Sequence, residues 1–300
     1  MEKEYKGTTI LLFTGLFYSL FGVFSRLIST TFGPLSQNWT RGILVALVCL
    51  VIALITKKTR KIKREDFKWL FIAGLSMSLV NPLSFIACNN LQLSTALFLL
   101  YSAIVLSSYF FGFLLLKEKM NAKKIIALLL SLIGLILILH FSIEGFKIKF
   151  ALASVLSGAI YGLFTVSTKK VSSTYSPAFI NFVVYTIVVM VNLPLAIMLR
   201  DKITFDIVSN GWLFNILFGF NVIVTFLLLI KGFKYIEIQK GSLILLSEII
   251  FVIIWGILFY KEIPSFTEVI GGLLVVIAMG VPLLSFKKKQ AHRLNDKTQL

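Results

Sequence analysis

Apolar runs of about 20 residues follow one another along almost the whole chain, and they constrain it more than any motif does. A bilayer core of roughly 30 Å is crossed by about 20 apolar residues in helical form. Runs of that length lie at approximately 8–28, 36–56, 68–88, 93–115, 122–141, 149–169, 177–199, 211–231, 240–260 and 265–285, ten in all. In lipid each segment must satisfy its own backbone polar groups, so such runs read as helices. Composition points the same way: 58% of the residues are hydrophobic, 14% are charged, and the mean hydropathy is +0.93. A soluble domain carries about 25% charged residues. A water-soluble globule of 300 residues could not cover itself with the polar surface available here. The reading is an all-α integral membrane protein with ten transmembrane helices. A cytosolic enzyme, a disordered regulator and a secreted disulfide scaffold are excluded.

The formal net charge is +17, from 30 Lys+Arg against 13 Asp+Glu. In a soluble chain that excess would suggest nucleic-acid binding. Here most of it sits in short segments between apolar runs, where it sets topology. With the N-terminus inside, the inner segments hold 23 Lys and Arg, including Lys57–Arg64, Lys117–Lys124 and Lys287–Lys289, and the outer segments hold five. Both termini are therefore expected in the cytoplasm and the chain in the cell membrane, with the lipid bilayer as partner and no nucleic acid. The first run follows Glu2 and Glu4 and lacks a small-residue cleavage site, so it reads as a retained helix. Cys49 and Cys88 lie within apolar runs and read as core packing. His140 and His292 are far apart, and no Cys/His metal cluster is present.

The two halves resemble each other. At an offset of 143, Gly15, Tyr18, Leu20 and Phe21 match Gly158, Tyr161, Leu163 and Phe164, and Pro34 and Asn38 match Pro177 and Asn181. At an offset of 144, Gly112–Glu118 (GFLLLKE) matches Gly256–Glu262 (GILFYKE). Each half holds five runs. Five is odd, so the second half enters the membrane from the opposite side, which makes the duplication an inverted repeat. Secondary transporters have this design, with the site near the midplane between the repeats. The domains are read as 1–145 for the first five-helix repeat, 146–288 for the second, inverted one, and 289–300 for a basic cytoplasmic tail.

These features carry a resemblance to the drug/metabolite transporter superfamily, in its EamA-type branch with two five-helix repeats. The matching residues are Trp39-Thr40-Arg41-Gly42 opening the second run, and the pairs Lys117-Glu118 and Lys261-Glu262 closing the fourth and ninth. Leu245–Glu248 (LLSE) is similar to the family's Glu-Pro stretch, with Ile249 in place of the proline and Ile104 at the equivalent place in the fourth run. The resemblance covers about residues 8–285. It implies a carrier of small-molecule metabolites, amino acids or related compounds, with export favoured over uptake.

Glu248 is the sharpest site candidate. It lies about eight residues into the ninth run, roughly 12 Å from the inner boundary at 1.5 Å per residue. A carboxylate there is costly and should face a cavity, a partner or a proton. It suits a substrate ammonium group or a proton carrier; the plainer reading is a protonated Glu bonded to a neighbouring helix. Arg41, inside the second run, could hold a carboxylate or phosphate in a bidentate manner, or snorkel outward, or cap a helix. Arg26 and Lys169 read as boundary anchors. Tyr18, Tyr161, Tyr101, Asn81, Trp39, Asn38 and Asn181 are polar-tipped residues within runs. They suit a cavity for an amphipathic solute, and equally interhelical hydrogen bonds or, for Trp39, the interface belt.

Asn81-Pro82 should bend the third run and free a backbone carbonyl. Ser154, Gly158 and Gly162 form a small-residue stripe suited to close packing, or to a contact between the first and sixth runs. The fifth and tenth runs are almost wholly apolar and should lie at the periphery. Glu118 and Glu262 read as fixing tight turns.

No phosphate-binding G-x-x-x-x-G-K-[ST] loop occurs, nor any G-x-S-x-G or H-E-x-x-H. No catalytic residue, cofactor or metal site is expected. The function these features favour is a secondary transporter working by alternating access, with coupling to protons through Glu248. The rivals are a carrier of phosphorylated solutes such as nucleotide sugars, a membrane-embedded enzyme, and a non-transporting scaffold.

Overall fold

The computed structural model describes residues 2–91, 93–139, 147–204, 210–251, 254 and 265–282. The helices are α1 (Glu2–Tyr18), α2 (Phe21–Ile28), α3 (Pro34–Ile55), α4 (Arg64–Asn90), α5 (Leu93–Leu116) and α6 (Ala122–Leu139). They continue with α7 (Ile148–Val171), α8 (Pro177–Met198), α9 (Asn210–Phe233), α10 (Ile238–Leu245) and α11 (Phe266–Gly280). Among the described residues, six helices are long and apolar enough to cross a membrane: those within α3, α4, α5, α7, α8 and α9. No strand occurs among the described residues; Phe32 and Ile203 form an isolated bridge.

The boundaries have local causes. Pro34 and Pro177 stand at the first turns of α3 and α8, where the missing N–H costs nothing. Ser176 caps α8 by accepting from the Phe179 amide at 3.2 Å. Gly33 gives α3 no such cap, and the Asp201 carboxylate substitutes from across the fold, accepting from the Leu35 and Ser36 amides at 3.0 and 2.7 Å. After α3, α5 and α8 the chain turns through left-handed residues Lys57, Lys117 and Arg200, with φ of 51°, 55° and 51°.

Two apolar runs are broken where an unbroken helix was expected. The first is interrupted at residues 19–20, separating α1 from α2. The Phe17 carbonyl at that break accepts from the Asn221 amide of α9 at 3.1 Å. The ninth is interrupted at Leu246, and residues 247–251 resume as helix. Neither break holds a proline. Each is sustained because a polar side chain or a tight turn meets the freed backbone groups, as lipid demands. Conversely, α4 continues through Pro82. The proline removes the donor for the Ser78 carbonyl, which accepts instead from the Asn192 side chain of α8 at 3.2 Å.

Helix α7 lies in the groove between α4 and α5, α3 lies on α8, and α1 lies on α9. The small residues explain the closeness. Ser154 donates to the Ala96 carbonyl at 2.6 Å. A Cβ on Gly158 would run into the Leu100 carbonyl and Ala103, and one on Gly162 into Ser107. The stripe is thus a packing seam with α5, and the first and sixth runs meet elsewhere, through tyrosines. Helices α6 and α11 pair with each other, with Gly134 against the Gly271 carbonyl and Val275. Their outward faces, including Ile126, Leu129, Ile133, Leu273 and Ile277, are exposed, consistent with the expected peripheral position.

Candidate functional site

The centre of the bundle is aromatic. Tyr18, the last residue of α1, and Tyr161 of α7 meet hydroxyl to hydroxyl at 2.5 Å. Both are buried. Phe226 of α9 takes three rings near its own, at centroid distances of 5.9 Å for Tyr18, 5.7 Å for Phe164 and 5.8 Å for Tyr185. These contacts are edge-to-face, the arrangement ring quadrupoles favour. Phe21 continues the line, 4.8 Å from Tyr18 and 5.0 Å from Phe218.

Glu248 follows the turn at Leu246. It lies ten residues beyond the start of α10, about 15 Å along a helix. The turn is tight: the Ile249 amide reaches back to the Leu246 carbonyl at 3.0 Å. Glu248 stays partly accessible. It is hydrogen-bonded by Tyr101 and stands within electrostatic reach of Tyr18 and Tyr161.

On the other side of the aromatic line lies a polar layer. Arg41 of α3 is only 5% exposed. Its guanidinium lies 4.0 Å above the Phe218 ring and donates to Gln37 Oε1 at 3.1 Å. Among the described residues no carboxylate forms an ion pair with it. Arg41 therefore neither snorkels to the boundary nor caps a helix; an aromatic face holds the cation inside. One turn away, Asn38 Oδ1 accepts from Asn81 at 2.9 Å, and Thr40 Oγ1 accepts from Asn215 at 2.9 Å. Asn38 Nδ2 and Asn215 Oδ1 have no partner among the described residues.

The sequence candidates are thus gathered unevenly. Tyr18, Tyr161, Tyr101 and Glu248 form one group, and Asn38, Asn81 and Arg41 a second. Asn181 is fully buried and neither side-chain amide atom has a partner among the described residues. Trp39 is half-buried. Lys169 sits in the last turn of α7, and its Nζ lies 3.0 Å from Glu118 Oε1. Arg26 lies outside the residues whose side chains are described, as does Cys88, and His140, Lys261, Glu262, His292 and the tail lie outside the described residues. Sequence reasoning passed over Tyr185, which stands within electrostatic reach of Arg41 and Tyr161, and Asn192, Asn215 and Asn221. All four are polar-tipped residues in apolar runs, the signal used for the others.

The arrangement offers binding groups of three kinds. A guanidinium with spare donors recognises carboxylate or phosphate oxygens. A largely buried, partly accessible carboxylate recognises an ammonium group or a proton, and the rings between them recognise an apolar body. No three His, Cys, Asp or Glu residues gather to hold a metal among the described residues.

The EamA-like transporter family matches the chain twice, over residues 5–140 and again over 148–283. An uncharacterized transporter of Archaeoglobus fulgidus is 30% identical over 198 residues, 63% of this chain and 67% of that protein. An uncharacterized transporter of Clostridium kluyveri is 24% identical over 298 residues, 94% of each chain. A protein of known crystal structure shares the fold with a TM-score of 0.78 at 16% identity, over 94% of this chain and 98% of that one.

Proposed function

The chain belongs to the EamA-like transporter family and is a multi-pass membrane transporter, not an enzyme; from that premise we propose that it is a secondary carrier in which two inverted five-helix repeats enclose a central site. The observation that carries the reading is an exchange of helix contacts between the halves. α1 lies on α9 as α7 lies on α4, α1 on α10 as α7 on α5, and α3 on α9 as α8 on α4. α3 meets its own counterpart α8, and α6 meets α11.

Details repeat with the same exchange. A Cβ on Gly15 would meet Ser247 and the Glu248 amide, and one on Gly158 would meet Ala103 and the Ile104 amide. Lys57 and Arg200, 143 positions apart, are both left-handed. Together with the doubled family match, this supports domains at 1–145 and 146–288, ten spans, and a site near the pseudo-twofold axis where Tyr18 meets Tyr161. The basic asymmetry supports both termini in the cytoplasm and residence in the cell membrane.

The substrates are small polar or amphipathic metabolites, amino acids or related compounds, moved by alternating access in the export direction. Glu248, Arg41, Tyr18, Tyr161, Tyr101, Asn38, Asn81, Trp39 and Asn181 are the residues assigned to substrate, and Glu248 also to protons. Phosphorylated solutes fit less well. They call for several free cations, and the buried Lys124 and half-buried Lys169 are already engaged in ion pairs. Cysteines placed at positions 18, 81 and 161 in a variant lacking Cys49 and Cys88 test the reading. A carrier exposes them to water-soluble thiol reagents, and a scaffold leaves all three unlabelled.

A further inference from the structure

Six charged side chains converge where α9 ends and α10 begins, on the rim that carries most of the lysines. Glu118, at the end of α5, accepts from Lys169 Nζ of α7 at 3.0 Å and from the Ile238 amide at 2.8 Å through Oε1, and from the Gln239 amide at 3.2 Å through Oε2. Lys169 also donates to the Ile236 carbonyl at 2.5 Å. Lys124 of α6 donates to Gln239 Oε1 at 2.6 Å and pairs with Glu237 at 2.9 Å. Lys240 pairs with Glu4 of α1 at 2.8 Å. Three cations meet three anions, so the paired charges balance one another.

Glu118 is seated for this contact. Lys117 takes a left-handed turn with φ 55°, and the Glu118 amide returns to the Gly112 carbonyl at 3.0 Å. The carboxylate folds back against Gly112, where a Cβ would stand 3.0 Å from Oε2. Glu118 is 7% exposed. Helix α10 has no side-chain cap of its own, so its first amides take their acceptors from α5. α10 is eight residues long and ends at the turn before Glu248. One short rigid element thus joins this rim to the candidate site.

We propose that Glu118 is the latch of a gate at the lysine-rich rim: it holds Lys169 and the start of α10 together, and its release lets α10 swing so that the central site opens to that face. This rests on the carrier reading. Lys169 and Lys124 serve as the positioning cations. Loss of the latch shifts the carrier toward the conformer open at the basic rim, since a conformational equilibrium follows the free energy of the contacts made in only one state.

The test uses the full chain in proteoliposomes, in a background without Cys49 and Cys88. Reporter cysteines replace Ser242, buried in α10, and Thr40, on the opposite side of the site. Labelling uses an impermeant maleimide. Glu118→Ala is expected to raise labelling at position 242 from the basic face roughly tenfold, and to lower it at position 40 from the other face. Labelling that stays unchanged at 242, or that rises at both positions, overturns the latch; the second outcome is a loosened bundle. A second variant, Glu118→Cys with Gln239→Cys, keeps the gate shut when oxidised. Flux should stop in the cross-linked protein and return on reduction, and undiminished flux while cross-linked overturns the proposal even if Glu118→Ala fails to fold. If labelling behaves as expected while no variant moves any solute, the latch stands and the carrier reading falls.

Discussion

Tyr18 and Tyr161 stand 143 residues apart in the chain, at the spacing of the internal repeat, and their hydroxyls meet at 2.5 Å in the centre of the bundle. Each is the other's partner across the contact that joins the two halves. In such a pair one hydroxyl donates and the other accepts. Removing one leaves the other buried and unsatisfied, at a cost of about 1–3 kcal/mol, whereas removing both is nearly neutral. Tyr18→Phe and Tyr161→Phe should each lower the thermal midpoint of the detergent-solubilised protein. The double variant should recover most of the loss. Additive losses in the double variant would show that the hydroxyls act independently.

Arg41 gives the opposite sign. Its guanidinium is buried on Phe218 without a carboxylate partner among the described residues. Taking a charge out of water is costly, so replacing a buried ion by a well-packed apolar chain of similar volume is often neutral or stabilising. Arg41→Met should leave the thermal midpoint unchanged or raise it, while flux of carboxylate-bearing solutes falls at least about tenfold, as loss of a charge-assisted contact implies. A Met variant that transports such solutes at the parent rate would remove Arg41 from the site.

Much of this was legible in advance, and the limits have physical causes. Tyr18 and Tyr161 are singled out by polarity within apolar runs and by the repeat. A freed carbonyl follows from Pro82, but Asn192 as its partner does not, because that contact joins helices far apart in the chain. The same holds for Phe218 beneath Arg41 and for the distant helix start that Glu118 caps. The break at Leu246 has no proline or glycine to announce it. It is a tertiary arrangement, and propensity yields to packing there.

Glu248 should govern the response to pH. Replacing it with Gln keeps the hydrogen bond with Tyr101 possible and removes the titrating proton. Flux driven by a pH gradient should drop to the level seen without one, and its pH profile should flatten. A Glu248→Gln protein with unchanged flux and unchanged profile would exclude proton coupling through this residue.

The glycine seam between α7 and α5 should be the least tolerant packing site. Gly158→Ala places a methyl group against the Leu100 carbonyl and Ala103. Backbone cannot yield as a side-chain tip can, so the cost should be about 1–3 kcal/mol of overpacking. Gly272→Ala, with nothing within 4 Å of its added Cβ, is the control and should be silent in the same unfolding measurement.

Transport itself is tested most directly by filling proteoliposomes with a mixed metabolite extract and measuring which compounds leave faster than from protein-free vesicles, with and without a pH gradient. The account predicts a short, saturable set, led by amino acids or related compounds. Release identical to that of protein-free vesicles under every gradient would contradict it.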